Sequence, residues 1–451
     1  MRVEPKFRSQ DAPQLIYGLE AKPPFPLQLV YALQWVSFTL GIILVTTAIV
    51  GPGVGLSPRE VVDFGGRVLV VTGLATILQS YFGHRLPIIE GPGVIYWATY
   101  LFTAERALSQ RAILSDIEGG MLVAGITVVL FVVSGLARQS VRLFTPALSG
   151  VTLILISLSF LTGSASRLIG VSPLYPHGNV IHFTTVGLVI VTGALTSVVG
   201  RGVLRTIPIL FTVGLSYLVS ALFGQVDFTM LGEVGFLAIP RPLAGGLPTF
   251  RPEIGITYAI VGLLATVNTF AAVEASAALC GQSTSPQRHR SGILVTGVSQ
   301  ILAGLGAAVG TTSFAASTVV VSLSRVGARS TVSAAGLIMF LMGFIPWFSA
   351  LLFTVPLPIV NGVFFLISAN LFSLGLDQFA RIQFDTRLRL VVGLSLSAGL
   401  AVTYMSPTLF EAIPYGGSFL LSNPIIVGTG CAFFVEHVLF AKLANVFEGK
   451  A

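Results

Sequence analysis

Two carboxylates in this chain stand where a carboxylate is expensive. Glu274 lies in the run Thr266-Val267-Asn268-Thr269-Phe270-Ala271-Ala272-Val273-Glu274-Ala275-Ser276, with no basic residue within several positions. Ionising a carboxyl in hydrocarbon costs at least roughly 3 kcal/mol, so Glu274 is expected to face a wet cavity. There it can accept N–H donors from a solute or exchange a proton; a structural bond to a neighbouring helix is the competing reading. Asn268, two turns earlier, either lines the same cavity or bonds between helices. Glu90 directly precedes Gly91-Pro92-Gly93. A carboxylate there complements the N-terminal end of a following helix, as a cap or as a contact for solute and cation. Arg67 either pairs with an acidic group such as Glu90 or reaches the interface by snorkelling.

The backbone around these residues is interrupted. Across Leu86-Pro87-Ile88-Ile89-Glu90-Gly91-Pro92-Gly93, two prolines lack amide donors and two glycines permit unusual dihedrals, which predicts an extended piece leading into a helix that begins near Pro92. Gly310-Thr311-Thr312-Ser313-Phe314-Ala315-Ala316-Ser317-Thr318 has the same character, with a short helix capped by Ser317 or Thr318. Half-helices of this kind aim unpaired amides at a solute, here from Gly91, Gly93, Ala316, Ser317 and Thr318. Trp35, Tyr96 and Phe314 are candidate stacking faces for an aromatic ring, with ordinary packing as the alternative.

The elements that must hold such a site are membrane spans. Hydrophobic residues make up 54% of the 451 and charged residues only 10%, a composition that excludes a water-soluble fold. Apolar runs of about 20 residues recur from Leu27 to Leu443, near 27–50, 61–80, 86–104, 118–137, 143–164, 181–200, 206–223, 255–281, 292–310, 313–324, 331–353, 355–376, 388–405 and 418–440. The division of 331–376 is open. In this count of fourteen the interrupted segments fall third and tenth, third in each half of seven, as an inverted repeat requires. Pro146 and Gly150 in the fifth span match Pro358 and Gly362 in the twelfth.

Charge placement supports the count. With a cytoplasmic N-terminus, Arg85, Arg138, Arg142, Arg201, Arg205, Arg288, Arg290, Arg325, Arg329, Arg381, Arg387 and Arg389 join Arg2, Lys6, Arg8, Lys22, Lys442 and Lys450, so 18 of the 25 basic residues lie inside. Arg59, Arg106, Arg111, Arg167, Arg241 and Arg251 fall outside. The net charge of +7 is thus a topology signal; nucleic-acid binding would gather it on one accessible face. Residues 224–254 read as an ordered external loop, and 1–26 as a polar tail without a cleavable signal. Cys280 and Cys431 read as packing residues, not a disulfide, with no metal-ligand spacing around them. Asp377, Glu411 and Glu436-His437 read as structural or interfacial. No catalytic grouping stands out and no cofactor is expected; the chain reads as a carrier, not an enzyme.

Several fragments, in order and spacing, carry a resemblance: Leu78-Gln79…Phe82-Gly83-His84-Arg85-Leu86-Pro87, Glu90-Gly91-Pro92, Thr145-Pro146…Gly150, Glu274, Ser299…Leu302-Ala303-Gly304…Gly306, Ser324-Arg325 and Leu357-Pro358…Asn361-Gly362. From Pro24 to Leu376 the chain resembles the nucleobase–ascorbate transporters, or nucleobase:cation symporter 2 family, which includes uracil and xanthine permeases. That resemblance implies an all-α polytopic fold of fourteen transmembrane segments in seven-plus-seven inverted repeats, with short strands and half-helices in segments three and ten. It implies a core domain (27–137 and 255–330) and a gate domain (138–223 and 331–443), between the tails 1–26 and 444–451. Substrate would sit between segments three and ten, contacted from segment eight by Glu274. It further implies alternating access, proton coupling through Glu274 or Glu90, a homodimer, surrounding lipid and a bacterial inner membrane with both termini cytoplasmic.

The chain departs from the family at the site. Ala277 replaces a glycine, Ala275 and Ala278 stand where uracil carriers have histidines, Trp35 replaces a first-span histidine, and Ala316-Ser317 replaces the acid-or-amide and Asn pair of segment ten. Each lost partner to a buried polar ligand group removes about 1–3 kcal/mol. A purine or related heterocycle is therefore expected rather than uracil, with Glu90, Thr312 and Ser317 supplying other contacts. The rival expectations are an organic or inorganic anion carrier on the same fold, and a channel or non-transporting scaffold.

Overall fold

The computed structural model describes residues 15–105, 110–136, 145–171, 177–201, 204, 208–380, 382, 383, 385–410, 413 and 420–440, with backbone only at 105, 110, 111, 160, 162–167, 407 and 408. Residues 1–14 and 441–451, together with Arg106, Arg138, Arg142, Arg205, Arg381 and Glu411, lie outside the described residues.

Helix starts follow from local chemistry. Proline, whose missing amide costs nothing in a first turn, opens α2 (Pro58–Tyr81), α9 (Pro252–Leu279), α10 (Pro286–Leu305), α13 (Pro346–Phe353) and α16 (Pro424–Phe433). Ser57 and Glu60 form a capping box on α2, Ser285 caps α10, and Asn423 caps α16. The remaining helices are α1 (Phe25–Gly53), α3 (Val94–Glu105), α4 (Gln110–Val133), α5 (Pro146–Leu168), α6 (Val180–Val199), α7 (Pro208–Leu222), the short α8 (Thr229–Glu233), α11 (Ser317–Ser324), α12 (Arg329–Met342), α14 (Leu357–Ala380) and α15 (Thr386–Tyr404). The strands β1 (Glu90–Pro92) and β2 (Thr311–Ser313) precede α3 and α11. The last helix runs on as a π turn over Phe434–Leu439.

Among the described residues, α1, α2, α4, α6, α9, α14 and α15 are each long and apolar enough to cross a membrane. The pair α12 and α13 is together long and apolar enough to cross as well, bent by 87° at the break between them, as a broken span or a re-entrant loop is, and α14 follows as a separate helix. Shorter apolar helices fill the other places, and β1–α3 and β2–α11 form the interrupted segments.

The packing has the expected inverted symmetry. Segment two packs on segment eleven (α2 on α12), and the equivalent segments nine and four pack likewise (α10 on α4). Segment one on eleven (α1 on α12) has its counterpart in eight on four (α9 on α4), while the fifth and twelfth (α5 on α14) and the two strands pair across the axis. The equivalent crossings are closed by glycine in the same way. A Cβ on Gly73 would lie 2.5 Å from Gly336 O, and one on Gly125 would lie 2.6 Å from Gly297 O. A separate apolar cluster of Leu148, Val151, Leu155, Phe379, Val391 and Ala432 joins α5, α14, α15 and α16.

Residues 224–251 are ordered by bonds to the helix ends they cross: Leu243 N donates to Leu305 O (2.9 Å), Thr249 N to Ser115 O (3.0 Å) and Gly245 N to Glu118 Oε1 (2.7 Å). Arg251 pairs with Asp116 at 3.1 Å. Part of the N-terminal tail is also docked, with Ile16 N on Arg325 O (2.8 Å) and Glu20 on Arg329 (2.6 Å).

Candidate functional site

The two interrupted segments meet. β1 and β2 run antiparallel with Glu90 opposite Ser313, Gly91 opposite Thr312 and Pro92 opposite Thr311. Phe314 N donates to Ile89 O (3.1 Å) and Gly93 N to Gly310 O (2.8 Å), a register that makes Gly91 and Thr312 the hydrogen-bonded pair. Gly91 lies under the Phe314 ring: a Cβ there would lie 2.1 Å from Phe314 Cζ, so the ring would have to move to admit a larger residue.

This ladder changes which amides can meet a solute. Gly91 and Gly93 spend theirs on β2, and Pro92 has none. Ser317 N and Thr318 N are bonded to Phe314 O (3.0 Å) and Ala315 O (3.2 Å) in the turn entering α11. The amides without an acceptor among the described residues belong to Val94 and Ile95 at the start of α3, and to Ala315 and Ala316 before α11. α3 therefore begins two residues beyond Pro92. Ala316, not Ser317 or Thr318, is the N-cap of α11. Ser317 instead accepts from Ile89 N (3.1 Å), which ties the two interrupted segments together, and Thr318 donates to Ala315 O (2.9 Å).

The aromatic candidates lie at different depths. Phe314 is half-buried over Gly91 and contacts Phe38 edge-on, with ring centroids 6.5 Å apart. Trp35 stands behind Phe38 (6.4 Å) and is buried, its Nε1 donating to Thr331 Oγ1 at 3.3 Å. Tyr96 is fully buried against Gly310 and Gly93, and its hydroxyl has no partner among the described residues. Phe314, Ala315 and Ala316 are the surface of the crossing that is open.

The two carboxylates occupy different surroundings. Glu274 stands near the end of α9, 45% exposed; His289 of α10 meets its Oε1 at 2.7 Å and Thr284 donates to Oε2 at 3.4 Å. His289 also stacks on Phe270, one turn before Glu274, with centroids 4.2 Å apart. Asn268 is half-buried and lies about 120° around the helix from Glu274, so the two do not share a face. Glu90 is completely buried. Its amide donates to Thr76 Oγ1 (3.2 Å), its Oε1 accepts from Ser313 Oγ (2.5 Å), and His84 Nε2 lies 4.0 Å away. Arg67 does not pair with it: the guanidinium Nε donates to Ala307 O at 3.1 Å, and its anionic neighbours are Asp63, Glu118 and Glu60. At the far end of the chain, Glu436 accepts from Thr145 Oγ1 at 2.7 Å.

Sequence reasoning singled out Glu90 but not the residues around it. His84, Gln79, Thr269 and Thr296 join Ser313 in a buried polar group spanning α2, the strands, α9 and α10. His84 and Gln79 stood in the motif fragments; that Gln79 meets Thr296 across more than two hundred residues had no local signal.

A multi-pass helical protein with inverted repeats and two strands crossing at paired half-helix ends belongs to the architectural class of secondary transporters. The comparisons with known proteins agree. The model of a permease family, that of the xanthine/uracil permeases, matches residues 27–408, and the chain belongs to this family. The uric acid permease PucK of Bacillus subtilis is 26% identical over 88% of this chain and 92% of its own length. The xanthine permease XanQ of Escherichia coli is 24% identical, with 94% of each chain covered. Among solved structures, the transmembrane domain of the cyanobacterial bicarbonate transporter BicA superposes with a TM-score of 0.61 at 14% identity, over 92% of this chain and 97% of that one. The murine anion transporter Slc26a9 in its inward-facing state gives 0.65 at 12%, over 97% and 73%. At those identities the likeness concerns the fold.

Proposed function

We propose that this permease imports a purine or related heterocycle together with a proton, by alternating access, in a bacterial inner membrane with both termini cytoplasmic. The observation that carries the reading is the open surface at the strand crossing. Phe314 offers a ring face beside the exposed Ala315 and Ala316, whose amides are free, and the amides of Val94 and Ile95 that open α3 are likewise without an acceptor among the described residues. Ring carbonyls suit those amides, and ring N–H groups suit Glu274, which must exchange His289 for the substrate. Relatives named for uric acid and xanthine support this substrate class. Asn268, Trp35 and Tyr96 shape the surroundings, and the chain acts as a homodimer of core and gate domains within lipid. Competition for uptake of radiolabelled xanthine by urate, uracil, bicarbonate and sulfate tests the reading: the heterocycles should compete and the inorganic anions should not.

A second reading, an anion carrier, is favoured by the likeness to the bicarbonate and anion transporter structures and by the free helix-end amides. The 45% exposed carboxylate of Glu274 argues against it, and competition by sulfate or bicarbonate alone would establish it.

A further inference from the structure

The polar group behind the strand crossing forms a run of hydrogen bonds that ends with His84 Nε2 facing Glu90 without a bond between them. Glu90 Oε1 meets Ser313 Oγ at 2.5 Å; Ser313 Oγ reaches Thr269 Oγ1 at 3.4 Å, and Thr269 Oγ1 meets Thr296 Oγ1 at 2.9 Å. Gln79 Nε2 donates to Thr296 Oγ1 at 3.2 Å, Gln79 Oε1 accepts from His84 N at 3.3 Å, and His84 Nε2 returns to within 4.0 Å of Glu90. Every side chain in the run is buried.

The donors in this run can be counted. His84 Nδ1 accepts from Leu86 N (3.1 Å), so a neutral His84 carries its proton on Nε2, facing Glu90. An ionised Glu90 would draw the one proton of Ser313 and turn the Ser313–Thr269–Thr296 bonds the other way, so that Thr296 gives up Gly292 O, and the charge would sit fully buried with only the unbonded Thr311 hydroxyl at hand for Oε2. A protonated Glu90 instead donates to Ser313, Ser313 to Thr269, Thr269 to Thr296, and Thr296 to Gly292 O (3.1 Å). Ser313 and Thr269 then each give one bond and receive one, while Thr296 gives one and receives two, from Thr269 and from Gln79. The charged group that acts on the pair is Arg288 on α10, through His84, and Glu274 on α9 is tied to His289. A bound cation is disfavoured because the His84 N–H already faces the carboxylate.

We infer that Glu90 and His84 form the proton-holding site of this carrier, closed off from the solute, and that the Ser313–Thr269–Thr296 hydroxyl chain reverses direction when Glu90 loses its proton to water. Glu274 is then left to the substrate. This deepens the proton-coupled reading above and rests on it for its role in transport. The reversal places its consequence where β2 meets α9 and α10, the junction through which a carboxylate on β1 can act on the half of the site that carries Glu274.

Infrared spectroscopy of the purified full chain tests the site without any ligand. A protonated-carboxyl C=O band should be present at neutral pH, disappear in E90Q, persist in E274Q, and shift in frequency in S313A, a milder variant that keeps the carboxyl. In proteoliposomes with an inward gradient of about one pH unit, a one-proton symporter accumulates solute about tenfold. Wild type should reach this with xanthine or urate, and E90Q should fall to a ratio near one. A band unchanged in E90Q, or full accumulation by E90Q, overturns the assignment. If wild type accumulates neither solute, the transport reading fails, while the infrared result still decides whether Glu90 holds a proton.

Discussion

Gly91→Ala offers a quantitative test of the strand crossing. A Cβ at this position would lie 2.1 Å from Phe314 Cζ and 2.3 Å from Cε2, and Phe314 N is itself fixed on Ile89 O. Gly91 has no positive φ, so alanine carries no backbone strain and the cost is steric. Overpacking of this kind costs about 1–3 kcal/mol. A domain of 150–250 residues shifts by about 2–4 °C per kcal/mol; for this longer chain we expect roughly 1–2 °C per kcal/mol, a fall of about 1–6 °C in the apparent Tm of the detergent-purified protein. Phe314→Ala removes the colliding ring. The double variant should therefore lose less than the two single variants added together, with a coupling of about 1–3 kcal/mol. Substrate affinity should drop in both singles, because each displaces the ring face at the crossing. Strict additivity, or a Gly91→Ala protein as stable as wild type, would show that Phe314 does not cover β1 and would refute the geometry.

Other consequences are as direct. Glu274→Gln should weaken heterocycle binding by about 10- to 100-fold, the range for losing a hydrogen bond to a charged group, measured by ligand-induced thermal shift. His289→Ala frees Glu274 from its 2.7 Å partner and should tighten binding by about 3- to 10-fold; weaker binding would show that His289 positions the carboxylate for the substrate. Arg67→Met leaves the buried Ala307 carbonyl without its donor and should destabilise by about 1–3 kcal/mol, measured by thermal unfolding. Cysteines introduced at Asp227 and Arg290 should react with an impermeant maleimide from opposite sides of the membrane; labelling of both from the same side would overturn the topology.

Much of this architecture is written locally in the sequence. Pro87, Gly91, Pro92 and Gly93 cannot sustain a helix, and hydrophobic length fixes most spans, so the two interrupted segments were visible before any packing was known. Their pairing is a tertiary fact. Nothing in Gly91 alone announces that its amide goes to β2, or that Ser317 bonds Ile89 N instead of capping its own helix. The burial of Glu90 and the partial exposure of Glu274 were equally out of reach, because hydropathy gives depth in the membrane but not the direction a side chain faces. Arg67 shows the same limit: an acidic partner was a reasonable expectation, yet a carbonyl at Ala307 takes its Nε–H.

The most direct test of the central claim is uptake of radiolabelled xanthine and urate by proteoliposomes containing the purified chain, with the outside acidified and a protonophore added in parallel. Saturable accumulation that collapses with the protonophore and is abolished in Glu274→Gln is the expected result. Accumulation of bicarbonate or sulfate instead, or heterocycle flux indifferent to the proton gradient, would contradict it.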